Sequence, residues 1–173
     1  MAPKSYSLVT LWFVVAGTIV LWDSTYALMR PRSLAGGDLR WMWKFYDIYE
    51  KIDKVYDPAL FSAGDGFLPS IAVLNITEVL LSFLYIYGVY VASWDVAPLI
   101  GFTSATITLS KTALYCLQEY FCGLCTVGHN DSNDIFTYWL GPNILWAGAC
   151  FLITLKLGSD IASSLKKTKG KTE

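Results

Sequence analysis

Charge is scarce in this chain. Of 173 residues, 16% are Asp, Glu, Lys or Arg, and the formal net charge is −1. No nucleic-acid-binding pattern appears, so no nucleic-acid partner is expected. Histidine occurs once, at His129, which leaves a histidine-based triad without support beyond one loop residue. A phosphate-binding glycine loop and a nucleophile-elbow serine are both absent. Cysteine is limited to Cys116, Cys122, Cys125 and Cys150. Cys122, Cys125 and His129 cluster three ligands where a structural zinc takes four, so no metal is expected. The Cys122–Cys125 pair reads as a disulfide or as two inert thiols, and an oxidising lumen favours the disulfide. Internal repeats, low-complexity segments and a second domain are also missing. Residues 1–173 therefore read as one domain.

Apolar residues fill the space that charge leaves. They make up 54% of the chain, and the mean hydropathy is +0.44. A bilayer crossing needs about 20 apolar residues. Four stretches meet that length, at about 7–29, 67–92, 96–121 and 135–157, followed by a basic tail at 158–173. The first run is long and lacks a clear small-residue cleavage site, unlike a cleaved signal peptide. The expected fold is all-α: a polytopic membrane protein built as a four-transmembrane-helix bundle with an internal ligand cavity.

Four crossings put both termini on one side. The basic residues do not choose the side, because six flank the termini and six lie in the first loop, at Arg30, Arg32, Arg40, Lys44, Lys51 and Lys54. The C-terminus ends Lys169-Gly170-Lys171-Thr172-Glu173, a pattern resembling a dilysine retrieval signal. On that reading the protein sits in the endoplasmic reticulum membrane with cytosolic termini. The third loop is then lumenal, and its sequon Asn130-Asp131-Ser132 is exposed to glycosylation. Asn75-Ile76-Thr77 has the same pattern inside a span and is no acceptor. The first-loop segment 39–56 mixes aromatic, aliphatic and charged residues, as interfacial segments do, and can cap the mouth of a cavity.

Ionisable groups at membrane depth are costly and mark functional positions. Glu78 lies in the second stretch and Lys111 in the third. Lys111, Tyr115 and Glu119 recur every four residues and share a helix face, which Ser104 and Thr108 extend. Asn75, Glu78 and Ser82 share a face of the second helix, and Asn143 and Trp146 one of the fourth. The structural reading is a Glu78–Lys111 pair holding two helices together, with Asn143 as an interhelical donor. The functional reading is a dry pocket holding an acid, a base and an aromatic wall. Such a pocket suits moving a double bond in a hydrocarbon: one carbon gains a proton and its neighbour loses one. A tryptophan face would steady a cation on that path.

Three segments carry a family resemblance: Trp12–Leu28, Ser110–Gly123, and Asn143-Ile144-Leu145-Trp146. In order and spacing they resemble the emopamil-binding-protein (EXPERA) family, which includes the sterol Δ8–Δ7 isomerases and the sigma-2 receptor. The chain looks most like a fungal branch of it, through Trp22-Asp23, the string Tyr46, Tyr49, Asp53 and Tyr56, and Leu109-Ser110-Lys111. The resemblance implies a four-helix core around a cavity and a sterol-like or terpenoid-like ligand. Trp146 and Asn143 match the isomerases' last-helix pair, Glu119 an acidic position, and Glu78 or Asn75 the neighbourhood of a catalytic glutamate. The isomerases' first-helix histidine falls at Val20, and their carboxylate one turn later falls at Ser24, beside Asp23. Lys111 stands where the isomerases have a glycine.

The expected function is an isomerase-like enzyme acting on a sterol, terpenoid or other lipophilic metabolite. Glu78, Asp23 and Trp146 are the expected catalytic residues. Asn75, Lys111, Tyr115, Glu119 and Asn143 are the expected substrate-binding residues. No cofactor is expected. Membrane lipids surround the protein, and the oligomeric state is left open, a homodimer included. The alternatives are a non-enzymatic lipid binder like the sigma-2 receptor and a cyclase started by protonation.

Overall fold

The computed structural model describes residues 6–169, with side chains through Lys166. The lysines of the expected retrieval signal, at 169 and 171, lie outside the described side chains. Every element among the described residues is helical. Helix α1 spans Ser7–Leu28. The long first loop then folds into a 3-10 turn at Arg40–Trp43, helix α2 at Tyr46–Ile52, a second 3-10 turn at Lys54–Tyr56 and helix α3 at Pro58–Ser62. Helix α4 is Phe67–Tyr90 and α5 is Ala97–Cys122. A short α6 at Ser132–Asp134 runs through a π-helical stretch, Ile135–Leu140, into α7 at Gly141–Lys169.

Three helical stretches are long and apolar enough to cross a membrane: α1, α4 and the continuous run Ser132–Lys166. This is the architecture of a membrane-embedded protein. Outward residues such as Leu11, Ile19, Val73, Leu80, Leu152 and Leu155 are exposed, as a lipid-facing surface requires. At 26 residues, α5 has the length but not the apolarity. Its polar content has a local solution. Thr106, Thr108, Ser110 and Thr112 each donate to the carbonyl four residues back. Hydroxyls bonded this way leave no unmet donor in an apolar setting.

The long helices pack in chain order: α4 lies between α1 and α5, and α5 between α4 and α7. Trp12 meets Trp146 edge-on at 5.1 Å, and the Tyr6 hydroxyl donates to Asp160, joining α1 to α7. One apolar core, at the end holding the α4–α5 hairpin, gathers Val9, Phe13, Tyr85, Val89, Ala105 and Leu157. A second core, at the opposite end, packs Tyr26 and Leu68 against Trp43, Tyr46, Val55 and Tyr56 from the first loop. The first loop is thus part of the core and does not merely lie on its surface. Trp43 Nε1 donates to the Trp22 carbonyl at 2.9 Å, and the Tyr26 and Tyr46 rings stack at 3.8 Å.

Helix α5 stops at Gly123, whose φ of +71° a side chain would resist. The third loop then docks on the first. Lys54 N donates to the Thr126 carbonyl at 3.1 Å, and Asn130 Nδ2 donates to the Ile52 carbonyl at 2.7 Å. Cys122 and Cys125 form a disulfide, while Cys116 and Cys150 are free thiols.

Candidate functional site

A pocket of about 500 Å³ lies between the four long helices, toward the end covered by the first loop. Its size falls in the range of small-molecule sites, roughly 300–1,000 Å³. Six of the eight expected site residues line it: Asp23, Asn75, Lys111, Tyr115, Asn143 and Trp146. Glu78 and Glu119 do not.

Asp23 is brought to the pocket by the last turns of α1. The first loop supplies its partners. Tyr46 Oη donates to Asp23 Oδ1, and Tyr56 Oη lies 3.0 Å from Oδ1 and 3.2 Å from Oδ2. Burial, followed by the Asp23 charge, pushes both phenols well above the usual tyrosine pKa. They therefore stay protonated and serve as fixed donors to the carboxylate.

Opposite this group, α4 and α5 build a second polar centre. Lys111 Nζ stands 2.8 Å from Glu78 Oε1 and donates to Asn75 Oδ1. Thr108 Oγ1 lies 3.0 Å from both Glu78 Oε2 and the Ser104 carbonyl and shares its one proton between them. Glu78 is 3% exposed and sits behind the pocket wall, while Lys111 and Asn75 form part of that wall. The pairing expected from the structural reading is present, and it presents the ammonium to the pocket. Glu78 also borders a separate crevice of about 20 Å³ with Trp12, Ser82 and Thr108.

The remaining residues divide by role. Tyr115 faces the pocket and donates its hydroxyl to Asp53, which is fully buried and also accepts from Val55 N at 2.9 Å. Glu119 accepts from Thr126 N at 3.1 Å, Thr126 Oγ1 at 2.6 Å and Val127 N at 3.3 Å. It fastens the third loop and does not reach the pocket. Asn143 donates to the Trp139 carbonyl at 2.8 Å on its own helical run, so the interhelical bond expected of it is not made. Trp146 forms wall, braced by Trp12.

Glu119 Oε, Cys122 Sγ and Cys125 Sγ lie within 4.8 Å of one another. The disulfide removes both thiolates, and the carboxylate is committed to Thr126 and Val127. This cluster holds a loop and offers no ligand set. Asn130 Nδ2, the atom a glycan would take, already donates to the Ile52 and Val127 carbonyls at 2.7 and 2.8 Å.

Tyr46, Tyr49 and Tyr56 line the pocket but were not among the expected site residues. Their clustering in one aromatic loop was the available signal. Comparison with known protein families, curated proteins and solved structures finds no match for this chain.

Proposed function

We propose that this is a four-span membrane enzyme of the emopamil-binding-protein type. It would shift a double bond in a lipophilic metabolite, with Asp23 transferring the proton. The carrying observation is a carboxylate held by two phenols on the wall of a largely apolar, aromatic-rich pocket. A positioned carboxylate in an apolar site can take a proton from one carbon and return it to another, so atoms balance without a co-reactant. The substrate class is a sterol or terpenoid, because the lining offers large aromatic faces and few polar groups. Glu78 has a supporting role in this reading: it fixes Lys111.

The fourth span is α5. Its 26 residues reach about 39 Å, against about 30 Å of hydrocarbon. Its far end is hydrogen-bonded to the first loop through Thr126. The disulfide supports a non-cytosolic side for that end, consistent with the endoplasmic reticulum.

A second reading, a lipid-binding protein without turnover, is favoured by one feature. The pocket carboxylate already accepts hydrogen bonds from two phenols, Tyr46 and Tyr56. One experiment separates the two. Yeast lacking its own Δ8–Δ7 sterol isomerase would express the protein or its Asp23→Asn form, with membrane levels matched. Conversion of Δ8 sterols by the first and not the second supports the enzyme. Saturable binding of labelled sterol without conversion overturns Δ8–Δ7 isomerisation and supports the binder over a sterol isomerase. Neither conversion nor sterol binding overturns the sterol assignment.

A further inference from the structure

The wall facing the substrate carries a positive charge with spare donors. Lys111 has three N–H bonds; it donates to Asn75 Oδ1 and pairs as an ion with Glu78 Oε1 at 2.8 Å. An ammonium has no acceptor, so Asn75 must give it the amide oxygen. The Asn75 NH2 group then remains as a donor, bonded to none of the described residues, on a side chain that lines the pocket. The third ammonium N–H and this amide NH2 are two donors from adjacent side chains. The counter-charge, Glu78, lies behind them. The positive end of the ion pair therefore faces the ligand.

Beside Lys111 and Asn75, across the pocket from the Asp23 carboxylate, this arrangement disfavours a carbocation and favours a developing oxyanion. A preorganised donor set aimed at negative charge in a water-poor site is among the strongest catalytic devices. We infer that the pocket takes lipophilic ketones or enones, whose carbonyl oxygen is received by Lys111 and Asn75. The inference rests on the proton-transfer reading of Asp23. In the reaction, Asp23 removes a proton from a carbon activated by the carbonyl. The C–H electron pair forms a new C=C bond, and the carbonyl π electrons move onto oxygen. Asp23 then returns the proton to a different carbon of the dienolate while the C=O bond re-forms. One double bond has moved, and no oxidant or reductant is used. Trp146 and the tyrosines are the apolar walls of this path and need not carry a cation.

Binding of three steroid-shaped probes to the full-length protein in detergent tests the charge preference. They are a neutral sterol, a steroid phenol that mimics the dienolate, and an azasteroid ammonium that mimics a cation. The phenol should bind at least tenfold more tightly than the ammonium. That preference should vanish in the double variant Glu78→Gln, Lys111→Met, which removes both charges and orphans neither. An Asn75→Asp variant should weaken the phenol selectively. If the neutral sterol binds but the ammonium equals or exceeds the phenol, the oxyanion assignment fails while the lipophilic pocket stands. If no probe binds, both fail together. Retention of the preference in the double variant also overturns the assignment.

Discussion

At the scale of single residues, long-range partners decide what each polar group does. Glu78 and Lys111 stand out in the sequence because charge is rare there, and their shared helix faces make a pairing legible. Asp23 is equally visible, but its donors are 23 and 33 residues away, in a loop with no fixed period. Asp53 is the clearest case of what local sequence hides. It looks like one acid among many in the first loop, yet it is fully buried and accepts from Tyr115, 62 residues on. Burial raises its pKa above 3.8, Glu119 adds to the rise, and Tyr115, Val55 and Thr126 oppose it. Tyr49 also feels its charge. The folded state therefore holds this proton more tightly than the unfolded chain. Its contribution is fully present below the unfolded pKa and is lost as pH rises through the folded one. Asp53→Asn keeps an acceptor for Tyr115 and removes the titration. As pH rises above about 4, the ordinary carboxyl value, the variant should gain thermal stability relative to wild type. Asp38 and Asp47 have lowered pKa values from Arg32 and Arg40, and they titrate alike in both proteins. An unchanged gap between the two melting temperatures across that range would remove the role given to Asp53.

Helices were the most legible elements, since a long apolar run forces internal backbone hydrogen bonding. The first three expected stretches end within two residues of α1, α4 and α5. The fourth was read too short. Its helix begins at Ser132, capped by Asp131, and continues past Leu157 into polar residues that hydropathy does not track. Helix α5 is less apolar than the expected span, and its hydroxyls bond within the helix without interrupting it. What the sequence did not disclose is how closely α5 approaches its neighbours. A Cβ at Gly101 would lie 2.7 Å from Tyr85 Cδ2 and 3.1 Å from Leu157 Cδ1. Tyr85 and Leu157 are both fully buried, so neither ring nor methyl can easily retreat. Small residues at such a crossing let helix backbones close in. Gly101→Ala should cost about 1–3 kcal/mol, the usual range for overpacking. Gly148, with open space at its Cβ position, is the matched control, and Gly148→Ala should be near neutral. Equal thermal stability of the two variants in detergent would show that the α4–α5–α7 contact is looser than this.

For the whole molecule, the number of crossings fixes which side everything faces. Three crossings put the termini on opposite sides; four put them together. The proposed fourth crossing follows from connectivity more than from hydropathy. The chain leaves α4 at the hairpin end, and α5 runs back beside α4. At the end of α5, the third loop bonds to the first through Thr126, His129 and Asn130. On the proposed topology both loops share a side, and α5 crosses the distance α4 crosses. Its polar residues can do so because Glu78 meets Lys111 and each threonine bonds its own helix. The disulfide lies on the loop side, which on the proposed topology is the oxidising one. In sealed microsomes, an N-terminal tag and a C-terminal tag should both be digested by added protease. Cys122 and Cys125, in a Cys116→Ser background, should react with an impermeant maleimide only after reduction and permeabilisation. Labelling of reduced Cys122 in sealed vesicles with both tags protected would invert the orientation, and protection of one tag with loss of the other would leave α5 outside the membrane. The pocket would then lose the wall that carries Lys111 and Tyr115.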